Sequence, residues 1–205
     1  MQRGVTRSGD GVPRCPWGVE PPELRRYHDD EWGRPVTDEV GIFEKLSLEG
    51  FQSGLSWLTI LRKREAFRRA FAGFDIPTVA HFGRRDVERL LADSGIVRNR
   101  GKIEAVIGNA RAVLDLHGEG SSLAALVWRH EPASQRAPRT LDDLVASSPE
   151  SSALSKELRR RGLRFVGPTT VYASMQSLGL VDDHLRGCHA RASVDEARRA
   201  LVRPR

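Results

Sequence analysis

The chain has 205 residues, 39% of them hydrophobic, and carries 33 Lys plus Arg against 27 Asp plus Glu, a formal net charge of +6. That length supports one substantial core or two small lobes sharing a cleft, and no apolar run is long enough to read as a membrane span. The opening MQRGVTRSGDGVP has no apolar segment of the kind a secretory signal needs, so a cytoplasmic location is expected; the basic charge points to an anionic partner, nucleic acid first, although an Arg-rich proteome would give the same excess.

In chain order, residues 1–13 read as a flexible tail. Residues 14–36 (RCPWGVEPPELRRYHDDEWGRPV) have little periodicity and several prolines, yet hold two Trp, a Tyr, a Cys and a His, so this loop needs a constraint other than an apolar stripe. Thr37 or Asp38 can cap a helix carrying Val40, Phe43 and Leu46 up to Glu49, and a second helix runs from Ser56 with Ile60, Phe67 and Phe71 inward until Gly73 stops it. Between them, Gly50 and Gly54 break the run and are expected to turn Glu49 and Trp57 toward one space. A helix follows over Asp86–Asp93, then a regular one whose stripe of Ile103, Val106, Ile107, Ala110 and Leu114 is closed by Gly118. Ser122 opens a brief helix, residues 130–139 form a surface loop, and helices return over Ser151–Arg161 and Val171–Leu178 before a basic tail at 190–205. No alternating strand is evident, and the fold class is all-α.

Three groups of residues carry chemistry. Cys15 and His28 stand near the N-terminus, and His184 and Cys188 lie at i and i+4 near the other end. Together they make the Cys2His2 mixture that tetrahedral zinc prefers, which would be structural and would tie the proline-rich loop to the C-terminal segment. The spacing is not that of a standard zinc finger, His189 is a rival ligand, and two free thiols with two unrelated histidines remain the alternative.

The segment RRRGLRFVGPTT (159–170) places Gly162 after one helix and Gly167-Pro168 at the start of the next. The free N–H groups of Thr169 and Thr170 can then hold a phosphate, as in a helix-hairpin-helix that grips a DNA backbone, although a plain corner between two helices has the same pattern. Last, Trp17, Tyr27, Trp32 and Trp57 are surplus to the periodic stripes and, with Glu49, suit the walls of a pocket for a flat, cationic ligand; a helical elbow with a solvated Glu and a core Trp is the competing reading.

These groups meet in one resemblance. Through CPW (15–17), YHDDEWG (27–33), EG-Q-GLSW (49–57), GIVRNRGKI-A-IGNAR (95–111), FVG-TT (165–170) and DHLRGC (183–188), the chain from Arg14 to Cys188 resembles the DNA-3-methyladenine glycosylase I family of the helix-hairpin-helix superfamily. The resemblance implies a single glycosylase domain over 14–189 and a zinc held by Cys15, His28, His184 and Cys188. It implies catalysis and base recognition by Glu49, with Tyr27 and Trp57 holding the excised base and Trp17 and Trp32 close by. Gly54-Leu55 lies where the wedge filling the vacated DNA stack would be, and Gly167, Thr169 and Thr170 would meet the backbone. Leu24 and Phe51 depart from residues that some members have at the pocket edge.

The implied activity is hydrolysis of the N-glycosidic bond of 3-methyladenine in double-stranded alkylated DNA by a monomer, leaving an abasic site without strand cleavage. The alternatives are a non-catalytic, zinc-stapled DNA-binding module and a glycosylase for another alkylated purine. Asp182 stands where the wider superfamily has a catalytic Asp; it either faces the sugar, or caps a helix or supports the zinc ligand His184.

Overall fold

The computed structural model describes residues 4–204, and among these it contains ten α-helices and one two-residue strand pair. Strands β1 (Thr6–Arg7) and β2 (Pro13–Arg14) pair antiparallel with Thr6 opposite Arg14. The helices are α1 (Pro22–Asp30), α2 (Glu39–Gln52), α3 (Trp57–Ala70), α4 (Ile76–Ala80), α5 (Arg84–Ala92), α6 (Arg100–Gly118), α7 (Leu123–Trp128), α8 (Pro149–Arg160), α9 (Pro168–Leu178) and α10 (His189–Ala200). Side-chain caps start most of the long ones: Asp38 accepts from Gly41 N, Ser56 from Thr59 N, Asn99 from Lys102 N and Ser148 from Ser151 N. Each satisfies a donor that the first helical turn leaves free.

The core is packed between α2, α3, α6, α8 and α9. Phe43, Phe51, Phe67, Phe71 and Phe74 are all buried, with Phe51 on Phe67 at 4.6 Å between ring centres and Phe71 stacked on Phe74 at 5.6 Å. Complete burial of one such ring contributes roughly 1.5–3 kcal/mol. Gly73 ends α3 as expected from sequence, in a turn where Ala72, Gly73 and Phe74 all adopt positive φ.

A second, smaller cluster joins the chain's two ends. Cys15, Leu185, Cys188 and Ala190 are buried there, with Val5, Trp17 and Leu141 against them.

Three segments differ from the sequence expectation. Within 14–36, residues Pro22–Asp30 form a helix whose buried residues are only Tyr27 and His28, too few to register as an apolar stripe. The N-terminal stretch, expected as a flexible tail, makes the β1–β2 turn, held by Arg14 bonding to Ser8 and Asp10; residues 1–3 of that tail lie outside the described residues, as does Arg205. The strands are too short to show alternation. From residue 190 the expected basic tail is mostly α10, with Ala190 and Val194 buried one turn apart. Its arginines misled the reading because they serve as donors to main-chain oxygens: Arg191 to Asp182 and His184, Arg198 to Leu180.

Candidate functional site

The elbow between α2 and α3 is made by Ser53-Gly54-Leu55-Ser56. Gly54 has φ +83°, the left-handed region that a residue with a Cβ enters only with strain. Gln52 and Leu55 close the turn, Leu55 N donating to Gln52 O at 2.7 Å and Gln52 Nε2 to Leu55 O at 2.9 Å. Buried Lys102 pins it from below, its Nζ donating to Phe51 O at 2.8 Å and Ser53 O at 2.6 Å, where a cation meets the free carbonyls of a helix C-terminus. Leu55 is left 39% exposed at the tip. Gly50, expected to contribute to the bend, instead sits inside α2, where an added Cβ would lie 3.3 Å from Cβ of Phe165; it permits close approach of the segment between α8 and α9.

Beside this elbow lies a cavity of about 260 Å³ lined by Trp17, Tyr27, Trp32, Glu49 and Trp57, all singled out from sequence, and by Gln52, Leu144, Ala173 and Gln176. The rings form two edge-on or tilted pairs, Trp17 with Trp32 at 4.9 Å and 82°, and Tyr27 with Trp57 at 5.2 Å and 46°. Glu49 is 6% exposed, and among the described residues its carboxylate has no hydrogen-bond or ion-pair partner. Burial pushes its pKa up to about 8, opposed only by the charge of Lys45. An acid in this state turns ionised when a cation or a hydrogen-bond donor enters the cavity.

Gln176 escaped the sequence reading because it belongs to an ordinary helical stripe on α9. Its Nε2 donates to Asp183 at 2.7 Å, and Asp183 also accepts from Tyr172 at 2.8 Å and Gln135 at 2.6 Å. Ala173 lies on the same face of α9, and Leu144 comes from an irregular segment with no pattern to reveal it.

Cys15, His28, His184 and Cys188 do converge: all four are buried, and their ligand atoms lie within 4.8 Å of one another. Cys188 Sγ is 3.4 Å from His28 Nε2 and 3.6 Å from His184 Nδ1, and Cys15 Sγ is 3.8 Å from His184 Nδ1. The far nitrogens are occupied, His28 Nδ1 by Asp29 at 2.8 Å and His184 Nε2 by the main-chain oxygen of Trp32 at 3.0 Å. That arrangement aims one free lone pair per ring inward, so the group can hold a metal ion. Hydrogen bonding between the two thiols holds Cys188 toward the thiolate and Cys15 toward the thiol. His189, the rival ligand, instead bonds Asp29 at 2.8 Å; burial raises the Asp29 carboxyl, and Arg14, His28 and His189 together outweigh it and hold the group low.

The remaining sequence candidates fall elsewhere. Gly167 caps α9, Thr169 is exposed, and neither Thr169 nor Thr170 has an intrahelical acceptor for its N–H. Asp182 is fully buried and does not line the cavity. Its Oδ1 accepts from His184 N at 3.0 Å and its Oδ2 faces Arg191 at 3.6 Å; burial lifts it to about 6, against the pull of Arg191.

A family model described as methyladenine glycosylase matches residues 17–192. DNA-3-methyladenine glycosylase 1 of Escherichia coli is 48% identical over 178 residues, covering 85% of this chain and 95% of that protein. A crystal structure of a 3-methyladenine DNA glycosylase I superposes with a TM-score of 0.84 at 46% identity, over 87% of this chain and 99% of the other. A variant of such a glycosylase, solved in complex with 3-methyladenine, superposes with a TM-score of 0.82 at 33% identity over 87% and 97%. The chain belongs to the methyladenine glycosylase family.

Proposed function

We propose that the protein is a DNA-3-methyladenine glycosylase, which takes the methylated base out of the duplex and hydrolyses its N-glycosidic bond, leaving an abasic site without cutting the strand. The observation that carries this is the unpartnered Glu49 carboxylate in a cavity walled by Trp17, Tyr27, Trp32 and Trp57.

Methylation at N3 makes adenine cationic and hence a fair leaving group. The enzyme's tasks are then to pay the few kcal/mol of unstacking and to recognise the charge. Glu49 would complete an ion pair with the cationic base, whereas neutral adenine would leave it either a buried anion or a neutral acid. The Trp57 and Tyr27 rings add an attraction of about 1–2 kcal/mol for a desolvated cation.

The metal we assign is zinc. A tetrahedron with metal–sulfur distances of about 2.3 Å and metal–nitrogen distances of about 2.0 Å has sulfur–nitrogen edges of roughly 3.5 Å. Of the four sulfur–nitrogen edges here, three are 3.4, 3.6 and 3.8 Å, and the fourth, between Cys15 and His28, lies within 4.8 Å. With four protein ligands no position is left for a reactive water, and the ion's role would be to clip residues 15–28 to residues 184–188.

We further read α8, the turn at Gly162 and α9 as a helix-hairpin-helix whose Gly167, Thr169 and Thr170 meet a phosphate of double-stranded alkylated DNA. Gly54-Leu55 would be the wedge that enters the vacated stack. The glycosylase domain is taken as one unit over 14–189 extended by α10, acting as a monomer in the cytoplasm.

The test is release of free base from a methylated duplex, with 3-methyladenine and 7-methylguanine measured on the same DNA. Preferential release of 3-methyladenine supports the reading. Binding without release of any base would leave a DNA-binding module, and preferential release of 7-methylguanine would leave a different alkylpurine glycosylase.

A further inference from the structure

Behind the aromatic wall of the cavity is a second, charged chamber of about 150 Å³. It is lined by Glu31, Glu44, Lys45, Arg64 and Arg68, and Tyr27 and Trp57 line it as well as the base cavity. Those two residues therefore separate the cavity from the chamber.

The charges in and around the partition pair off unevenly. Glu31, at the end of α1, is held by Arg64 of α3 at 2.5 and 2.8 Å. Glu44 of α2 is held by Arg68 of α3, with Nη2 at 2.8 Å and Nε at 3.0 Å. Two groups are left over, Lys45 and Glu49, one helical turn apart on α2 and so on the same face. Lys45 makes no hydrogen bond among the described residues; its Nζ stands 5.8 Å from the centre of the Tyr27 ring. Apart from Glu49, the cavity is lined only by neutral groups, among them Gln52 and Gln176.

We infer that Lys45 is the positioning residue for the charge of Glu49: from the chamber beyond Tyr27 its charge favours the carboxylate over the carboxylic acid, so that an entering cationic base completes an ion pair where a neutral base does not. The inference rests on the glycosylase reading and deepens it.

The electrostatics are consistent in sign. Burial raises Glu49, and the charge of Lys45 lowers it. Burial also lowers Lys45, while Glu31, Glu49 and Glu44 act to keep it protonated against Arg64. A protonated Glu49 would donate a hydrogen bond and accept neutral purines as readily as charged ones. An ionised one distinguishes them. Direct contact would form a closed pair with Glu49 and compete with the ligand, whereas an amine held 5.8 Å from the centre of the Tyr27 ring acts through space and leaves the carboxylate open.

The experiment is the pH profile of kcat/KM for 3-methyladenine release by wild type, Lys45→Met and Lys45→Arg across about pH 6–10, since kcat/KM reports ionisations of the free enzyme. Lys45→Gln provides the neutral replacement should the Met variant not fold. The expected result is an acid limb displaced to higher pH in the neutral variants and unmoved in Lys45→Arg, with neutral variants recovering wild-type rates above the limb. At neutral pH the neutral variants should also lose preference for 3-methyladenine over unmodified adenine. A uniform drop in rate with the limb at its wild-type position assigns Lys45 a packing role and overturns the inference. If wild type releases no base at any pH, the glycosylase reading falls and this inference with it; an active wild type with an unmoved limb in the variants removes the inference alone.

Discussion

The main-chain oxygen of Trp32 accepts a hydrogen bond from Nε2 of His184 at 3.0 Å, and the two rings meet edge to face at 4.8 Å between centres. Trp32 lines the cavity proposed to take the base and His184 belongs to the Cys2His2 cluster, so the candidate metal site and the cavity share a wall. Chelating the metal is therefore expected to lower the melting temperature and the affinity for free 3-methyladenine together. Metal analysis with base-binding calorimetry before and after chelation checks this; retained affinity in metal-free protein would separate the two sites.

Gly18 bears on the same cluster. A Cβ there would lie 2.4 Å from the His28 imidazole, which Asp29 and the cluster hold on both sides. Gly18→Ala should cost about 1–3 kcal/mol, typical of overpacking, and reduce zinc content. Thermal unfolding of the variant with its zinc stoichiometry reads both effects.

For Glu49 the pH dependence has a definite sign. Its folded pKa is raised to about 8 from its ordinary value of 4.5, so the folded state binds the extra proton between those values and stability declines as pH rises through that window. Glu49→Gln should thus be more stable than wild type above pH 8, by roughly 2–4 kcal/mol, and nearly equal to it near pH 4.5. Base release should fall by about 10²-fold or more, because the charge partner of the leaving base is gone. Denaturant titrations at the two pH values and single-turnover assays test the pair; a variant destabilised at both would mean that Glu49 is anchored in some other way.

If Leu55 is the wedge proposed above, it separates DNA handling from base recognition. It is exposed on the pinned elbow and does not line the cavity. Leu55→Ala is expected to reduce release from duplex DNA by about tenfold or more, the rate equivalent of one buried Leu side chain, and to leave binding of free 3-methyladenine unchanged.

Asp182 should behave as a supporting group. Asn keeps an oxygen for the His184 N–H, so Asp182→Asn is expected to retain the single-turnover rate, whereas Asp182→Ala loses that bond and about 1–3 kcal/mol of stability. A large rate loss in the Asn variant would place this carboxylate in the chemistry after all.

The local chemistry was written in the chain. Caps at Asp38, Ser56 and Ser122, stop glycines at Gly73 and Gly162 and the stripe from Ile103 to Leu114 could be read directly, because a cap or a period involves residues within a few positions of one another. The Cys2His2 donors and the surplus aromatics could be named for the same reason, as types of residue unusual for their segment. What tertiary structure alone decided is which side of each group is free. Nothing near Gly50 in sequence says that Phe165 presses on it, and nothing near Lys45 says that Glu31 and Glu44 are already taken by Arg64 and Arg68. Helix α10 was hidden because its arginines find main-chain acceptors brought from residues 180–184. The burial that lifts Glu49 to about 8 is likewise assembled from α1, α2, α3 and α9 at once. Desolvation depends on everything surrounding a charge, and those surroundings are set by packing between segments far apart in the chain.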